Sequence, residues 1–204
     1  KYDEIGDIDG IAKILNNIGN IYFDQGSYEE ALIYYRKSLN IREEIGNIDG
    51  TSGSLHNIGS VYSKQGNYKE ALIYFKKSLK TDEEIGDKQG IALSLGNIGI
   101  TYKYQGNFLE ALTYLLDALS LSNQINALSM VVNHSKALYE IYKETGNYKQ
   151  ALKMHELYLV TKDTLDKKDA IEEGIRMEEK RKYNEKKLID STAHIIAITK
   201  EKEK

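Results

Sequence analysis

Residues 17–32 read Asn17-Ile18-Gly19-Asn20-Ile21-Tyr22-Phe23-Asp24-Gln25-Gly26-Ser27-Tyr28-Glu29-Glu30-Ala31-Leu32. The stretch returns from Asn57-Ile58-Gly59 to Ala71-Leu72 and from Asn97-Ile98-Gly99 to Ala111-Leu112, and a worn copy runs from Ala137 to Leu152. Gly19, Gly59 and Gly99 stand 40 residues apart, and so do Ala31, Ala71, Ala111 and Ala151. A fixed period of this size marks stacked repeats, in which each unit buries its apolar face against the next instead of in one globular core.

Within the unit, Ile11, Leu15, Ile18 and Tyr22 lie at helical spacing, so one face of a first helix packs inward. Gln25-Gly26-Ser27 is a turn, with Ser27 as N-cap and Glu30 three residues later in the arrangement of a capping box. The second helix carries Ala31, Leu32, Tyr35, Leu39 and Ile45, and Gly46 stops it. Asn47 and Asp87 are placed to cap the helices that follow, and Gly86 to end the one before Asp87. Helices of about 18 residues would each be about 27 Å long. Proline is absent, and no two-residue alternation persists between turns, so the chain reads as almost entirely helical. The repeats are expected at 7–46, 47–86, 87–126 and 127–163, making a tetrad over 7–163, with a charged helical segment at 164–204. Residues 1–10 align with 41–50, and Lys1 is not a natural start. Residues 1–6 are therefore expected to be the end of a preceding repeat.

The pattern resembles the tetratricopeptide repeat, which calls for a large apolar residue, an apolar-Gly pair, Tyr, Ala, an aromatic and a second small residue. Repeat one offers Leu15, Ile18-Gly19, Tyr22, Ala31, Tyr35 and Ser38. Repeat two offers Leu55, Ile58-Gly59, Tyr62, Ala71, Phe75 and Ser78; repeat three offers Leu95, Ile98-Gly99, Tyr102, Ala111, Leu115 and Ala118. The small residues let two antiparallel helices approach, and the aromatics fill the space between them. Gly19, Tyr22, Ala31, Gly59, Tyr62, Ala71, Gly99, Tyr102, Ala111 and Ala151 are thus the expected structural positions. The usual period is about 34 residues; longer helices around the Glu-Ile-Gly-Asp junction account for the difference. HEAT repeats share the length but lack this spacing. The resemblance implies an all-α, right-handed superhelical solenoid of antiparallel helix pairs with a C-terminal helical extension.

Repeat four departs from the pattern. Tyr139 stands where the glycine belongs, Ser135 where the large apolar residue belongs, and Tyr158 where the second small residue belongs; Asn126-Ala127 replaces the Gly-Asp junction. From Thr164 the period is lost, and Ile171, Ile175 and Leu188 leave a thin apolar stripe, too broken for a coiled coil. Leu165, Ile171 and Ile175 are expected to bury against repeat four, with residues beyond about Asp190 extending away or fraying. Lys162-Asp163-Thr164-Leu165 and Lys182-Tyr183-Asn184-Glu185-Lys186-Lys187 resemble the tail that joins such arrays to the membrane span in bacterial sensor histidine kinases and cyclases.

Charged residues make up 29 % of the chain, hydrophobic ones 41 %, and the net charge is −3, a balance that does not suit a general nucleic-acid binder. There is no cysteine, hence no disulfide and no thiolate metal site. No apolar run reaches membrane-spanning length, so a membrane enters only through flanking sequence; the compartment, periplasmic or cytoplasmic, is not legible. The four histidines, His56, His134, His155 and His194, lack a second histidine at helical metal-binding spacing, so no metal is expected. The repeat glycines do not follow a strand, so no cofactor is expected either. The carboxylates of Glu43-Glu44 and Asp82-Glu83-Glu84 read as solvated helix faces. No nucleophile, base and orienting group stand together, and the chain is expected not to be an enzyme.

What remains is a surface. By the geometry of the resembled family, the first helix of each pair lines a concave side, which would present Asn17, Asn57 and Asn97, with Asn16, Asn20, His56, Ser60, Lys103 and Tyr104 nearby. Asparagine carries both donors and an acceptor, so this ladder suits the backbone of an extended peptide; equally, it suits bonds between neighbouring helices. A basic clamp for a terminal carboxylate is poorly matched, since Asn16 and Leu93 stand where it needs lysine, and Lys13 alone is not a clamp. The expected partner is a protein or peptide segment, in a signalling context. The alternatives are a dimerising, signal-transmitting region that self-associates through its C-terminal helix, and a structural spacer.

Overall fold

The structure, a computed structural model, describes the backbone of residues 8–202 and the side chains of residues 8–187. The expected remnant at residues 1–6, the residue Asp7, and the side chains of Leu188 and His194 lie outside the described residues. Helices follow one another as α1 (Ile8–Asp24), α2 (Tyr28–Glu44), α3 (Ile48–Lys64), α4 (Tyr68–Ile85), α5 (Lys88–Tyr104), α6 (Phe108–Gln124), α7 (Leu128–Glu144) and α8 (Tyr148–Lys202). No strand occurs among the described residues. The fold is an all-α solenoid of antiparallel helix pairs with a longer C-terminal helix.

Each turn holds a residue at positive φ, and these recur every 20 positions: Gly26, Gly46, Gly66, Gly86, Gly106, Asn126 and Gly146. Gly86, at φ 70°, closes α4 in the left-handed region that a Cβ disfavours. Asn126 takes the same place at φ 55°, where asparagine is the best tolerated substitute for glycine. Asn47 Oδ1 accepts the Gly50 N–H at 2.8 Å, and Asp87 accepts the N–H groups of Gln89 and Gly90 at 3.0 Å, so both act as caps. Ser27 occupies the N-cap position of α2 but makes no side-chain cap bond, which corrects the capping-box expectation. Its own N–H is donated to the Tyr22 carbonyl at 2.9 Å, and the reciprocal half of the box has no donor to use.

The chain divides into two compact units, Lys1–Leu159 and Val160–Lys204. In the first, α1 packs on α2, α3 on α4 and α5 on α6; each second helix also packs on the next first helix, and α3–α5 and α5–α7 touch directly. The core is correspondingly spread along the stack. Tyr35, Leu39, Leu55, Ile58 and Val61 form one cluster, Phe75 and Ile98 belong to the next, and Leu115, Leu119, Val131, Leu138 and Ile141 to a third. Ile58, Ile98, Leu115, Leu138 and Ile141 are wholly buried, each contributing about 1.5–3 kcal/mol.

The repeat glycines face the large residue of the second helix. A Cβ on Gly19 would lie 2.6 Å from the Tyr35 ring, on Gly59 2.8 Å from the Phe75 ring, and on Gly99 2.7 Å from Leu115. The nearest neighbours of Gly59 are therefore ring atoms of Phe75 rather than Ala71, which is itself fully buried. In repeat four, Tyr139 sets its ring 4.6 Å from that of His155, the residue that stands where Tyr35, Phe75 and Leu115 stand earlier.

The second unit is charged and helical. Exposed ion pairs join Asp163 to Lys167, Lys168 to Glu172 and Glu178 to Arg181. Ile171 and Ile175 are 64 % and 55 % exposed, which overturns the expectation that they are buried. Two residues one turn apart make a stripe too narrow to define an inward face. Of the two expectations for the chain beyond Asp190, extension or fraying, the described backbone takes the first, staying helical to Lys202.

Candidate functional site

The asparagines lie along the first helices, and two of them, Asn57 and Asn97, tie one repeat to the one before. Asn57 Nδ2 on α3 donates to Asn16 Oδ1 on α1 at 2.9 Å, and Asn97 Nδ2 on α5 donates to His56 Nε2 on α3 at 3.4 Å. Neither Asn57 Oδ1 nor Asn97 Oδ1 accepts a hydrogen bond among the described residues. Asn17 is exposed and borders none of the cavities described below. Asn20 Oδ1 accepts the Tyr35 hydroxyl at 2.8 Å.

Four cavities follow the same face. One of about 430 Å³ is bordered by Asn16, His56 and Asn57 with Arg42 behind them, and another of about 430 Å³ by Asn20, Asn57, Ser60 and Lys64. A third, about 300 Å³, lies among Ser60, Tyr68, Asn97 and Tyr104, and a fourth, about 230 Å³, among Asn97, Lys103, Tyr104 and Glu140. Asn57 therefore stands between the first two and Asn97 between the last two. Tyr104 is 58 % exposed and stacks on Tyr68 with ring centres 5.8 Å apart. Lys103 is paired with Glu140 of α7 and lies 5.1 Å from the Tyr104 ring centre, so its charge is already used between repeats. Lys13 is likewise engaged, with Asp9 at 2.7 Å.

Behind this face lies a set of buried polar junctions that the sequence reading missed. Arg42, Asp82 and Ser122 are equivalent in the 40-residue register, and each reaches the residue twelve further on. Arg42 Nη1 donates to Ser54 Oγ at 3.0 Å and to the Gly50 carbonyl at 2.7 Å. Asp82 accepts from Ser52 and, at 3.1 Å, from Ser94, while Ser122 Oγ and His134 Nδ1 are 3.1 Å apart. Asp82 is 3 % exposed, which corrects its reading as part of a solvated face. Burial raises its pKa, against the lowering effect of the serine hydroxyls. The signal was present: the register pairs Asp82 with Arg42, and only Glu83-Glu84 with Glu43-Glu44.

Burial also pushes both His56 and His134 down to about 4, so both rings are neutral near pH 7. The His56 bond from Asn97 requires the proton on Nδ1, and that buried Nδ1 has no partner. No group of three His, Cys, Asp or Glu able to hold a metal occurs among the described residues. No helix among them is long and apolar enough to cross a membrane.

The profile of the tetratricopeptide repeat matches residues 10–84 and again 50–124, together more than half of the chain. The chain belongs to the tetratricopeptide repeat family. No curated protein sequence matches it. Among solved structures, this tetratricopeptide repeat chain is similar to aspartyl phosphate phosphatase F from Bacillus subtilis, with a TM-score of 0.76 and 16 % identity over 79 % of this chain and 43 % of that one. A Rap protein complexed with Competence and Sporulation Factor gives a TM-score of 0.72 and 18 % identity over 79 % and 45 %. BtubC (BKLC) from P. vanneervenii gives 0.67 and 17 % over 80 % and 68 %. The chain thus spans less than half of the first two. At these identities the likeness is one of fold. It also corrects the expectation that the chain is not an enzyme: a phosphatase is built on this same architecture, and a repeat solenoid is no argument against catalysis.

Proposed function

We propose that the chain is a protein- or peptide-binding module whose first helices, α1, α3, α5 and α7, take an extended segment of a partner. The observation that carries this reading is the half-used state of Asn57 and Asn97. Each is held by its Nδ2 group against the neighbouring repeat, and each leaves its carbonyl oxygen without a bond between two cavities. An oxygen fixed in this way is a ready acceptor for a peptide N–H, with its orientation settled before binding. The two uses of the ladder weighed from sequence are therefore compatible. Asn16, Asn20, His56, Ser60 and Tyr104 border the path, and Asn17 and Lys103 belong to its edge. Repeats at 7–46, 47–86, 87–126 and 127–163 are part of the proposal, with 164–204 as an appended segment. A relative in fold solved with a factor bound supports a partner-binding role.

Changing Asn57 and Asn97 together to Asp tests the reading, with peptides selected on the wild-type chain as probes. Aspartate keeps an acceptor and loses the interhelical donor; a change to Ala removes both. Binding lost in the Ala pair and weakened less in the Asp pair, whose acceptors Nδ2 no longer orients, is the expected result. Binding undiminished in the Ala pair would overturn the acceptor role. A second reading, a segment that self-associates, draws support from the exposed Ile171 and Ile175 of the second unit.

A further inference from the structure

Along the face that carries the asparagines, α5 departs from the other first helices. Leu93 stands where α1, α3 and α7 have Lys13, Gly53 and Asn133. Ile100 stands in place of Asn20, Ser60 and Glu140, and Tyr104 in place of Asp24, Lys64 and Glu144. Packing within the stack does not call for these changes. Leu93 and Tyr104 are 37 % and 58 % exposed and belong to none of the buried clusters, while Ile100 rests on one with part of its surface. The three lie at helical spacing on one face, and an apolar stripe exposed among polar neighbours marks a contact surface. The stripe also joins two of the cavities. Ile100 and Tyr104 line the one of about 300 Å³ with Tyr68 and Phe75, and Leu93 and Ile100 line the one of about 230 Å³ with Met130. The stack on Tyr68 settles the direction of the Tyr104 ring before anything binds.

We propose that this stripe is the subsite for one large apolar side chain of a bound segment, a leucine, methionine or phenylalanine, whose neighbour on the Leu93 side is a lysine or arginine. This rests on the peptide-binding reading and deepens it. A peptide N–H on Asn97 Oδ1 brings the nearby side chains to α5, where Ile100, Tyr104 and Tyr68 are placed to cover an apolar one. The charge of the neighbour follows from the cavity of about 430 Å³ that Leu93 borders as well. Asp49, Asp82 and Asp87 stand on its wall against one cation, Arg42, which the Asp9 carboxylate also attracts. His56, on the same wall, is kept neutral by burial. The balance is acidic, so it attracts a cation and repels a carboxylate. The other first helices offer no such seat: α3 presents Ser60 with Lys64, and α7 presents Glu140 with Glu144. One apolar residue read at one repeat fixes the register of the segment along the stack.

The test starts from a random decapeptide library selected on the full chain. Enriched peptides are resynthesised with each large apolar residue changed singly to Ala and each Lys or Arg to Glu. One Ala change should weaken binding to the wild-type chain about ten-fold or more, and reversing the charge of the basic neighbour should weaken it as well. On Tyr104→Ser that same Ala change should cost less, because the covering ring is gone. The melting curve of this variant is taken alongside, but the peptide series on the wild-type chain tests the subsite without it. Peptides that bind equally well after every Ala change overturn the subsite and leave the groove intact. An Ala effect as large on Tyr104→Ser as on the parent puts the apolar residue elsewhere and overturns it too. Charge reversals without effect overturn the basic neighbour. Self-association of the parent chain that Tyr104→Ser abolishes, measured by light scattering, would give the stripe to a second copy in place of a peptide. A library that yields no binder overturns the peptide-binding reading and the subsite with it.

Discussion

Gly59 has no room for a methyl group. Its Cβ would meet two Phe75 ring atoms at 2.8 Å in a close-packed interior, whereas a Cβ on Gly174 would meet nothing within 4 Å. Gly59→Ala should therefore cost about 1–3 kcal/mol, while Gly174→Ala should be neutral or gain up to about 1 kcal/mol from helix propensity. Thermal unfolding of the two variants side by side checks this, and equal melting temperatures would remove the packing role of the repeat glycine. His134 gives a pH test. It is 3 % exposed, and burial holds it at about 4 against an ordinary 6.5. Between those values the unfolded chain binds more protons, so stability falls as pH falls through that window, by about 2 kcal/mol at pH 5 for this one group. Asp82 acts in the opposite sense, because burial raises its pKa and its native form binds protons more readily than the unfolded one. Urea unfolding at pH 7 and pH 5 should thus show a smaller loss in His134→Gln than in the parent. The same loss in both would place the titration elsewhere.

At the scale of the helix, the caps divide into two kinds. Asn47 caps α3 with its side chain and also donates to Asp9 at 2.6 Å, so Asn47→Ala should cost about 1–2 kcal/mol. Ser27 makes no such bond, and Ser27→Ala should change stability by no more than about 0.5 kcal/mol. Melting temperatures separate the cases, and a large loss in Ser27→Ala would mean that its hydroxyl does cap. The helices and their glycine stops were legible because turn chemistry is local: Gly86 and Asp87 carry their signal in two adjacent letters. The junctions were not. Successive residues of a helix are turned by about 100°, so Asp82 faces the next repeat while Glu83 and Glu84 face outward. A run of charges conceals that difference unless it is read against the repeat. The Tyr22–Tyr34, Tyr62–Tyr74 and Tyr102–Tyr114 stacks, with centres 5.4–5.6 Å apart, were half legible for the same reason. The period marked the first ring of each pair, while the second lies twelve residues on in another helix.

For the molecule as a whole, the 40-residue period carried the architecture, since each repeat contacts mainly its neighbours and one unit predicts the next. Departures from the period carried less. Tyr139 and His155 at the fourth repeat meet each other, a pairing that only coordinates reveal. The apolar residues of the second unit were misplaced because their exposure depends on what covers them, which a thin stripe does not specify. If Ile171 and Ile175 pair with a second chain, light scattering should give a dimer for residues 1–204 and a monomer for a version ending at Asp163; monomers in both would exclude pairing through this segment. The candidate groove was legible as a row of asparagines, but not the bonds that hold Nδ2 and leave Oδ1 open. Its role is tested most directly by placing a photocrosslinking side chain at Ser60, which borders two of the cavities, or at Ile73, 49 % exposed on the second helix of the same pair. A peptide selected on the unmodified chain should crosslink from position 60 and not from position 73. Crosslinking from position 73 alone would contradict a groove on the first helices.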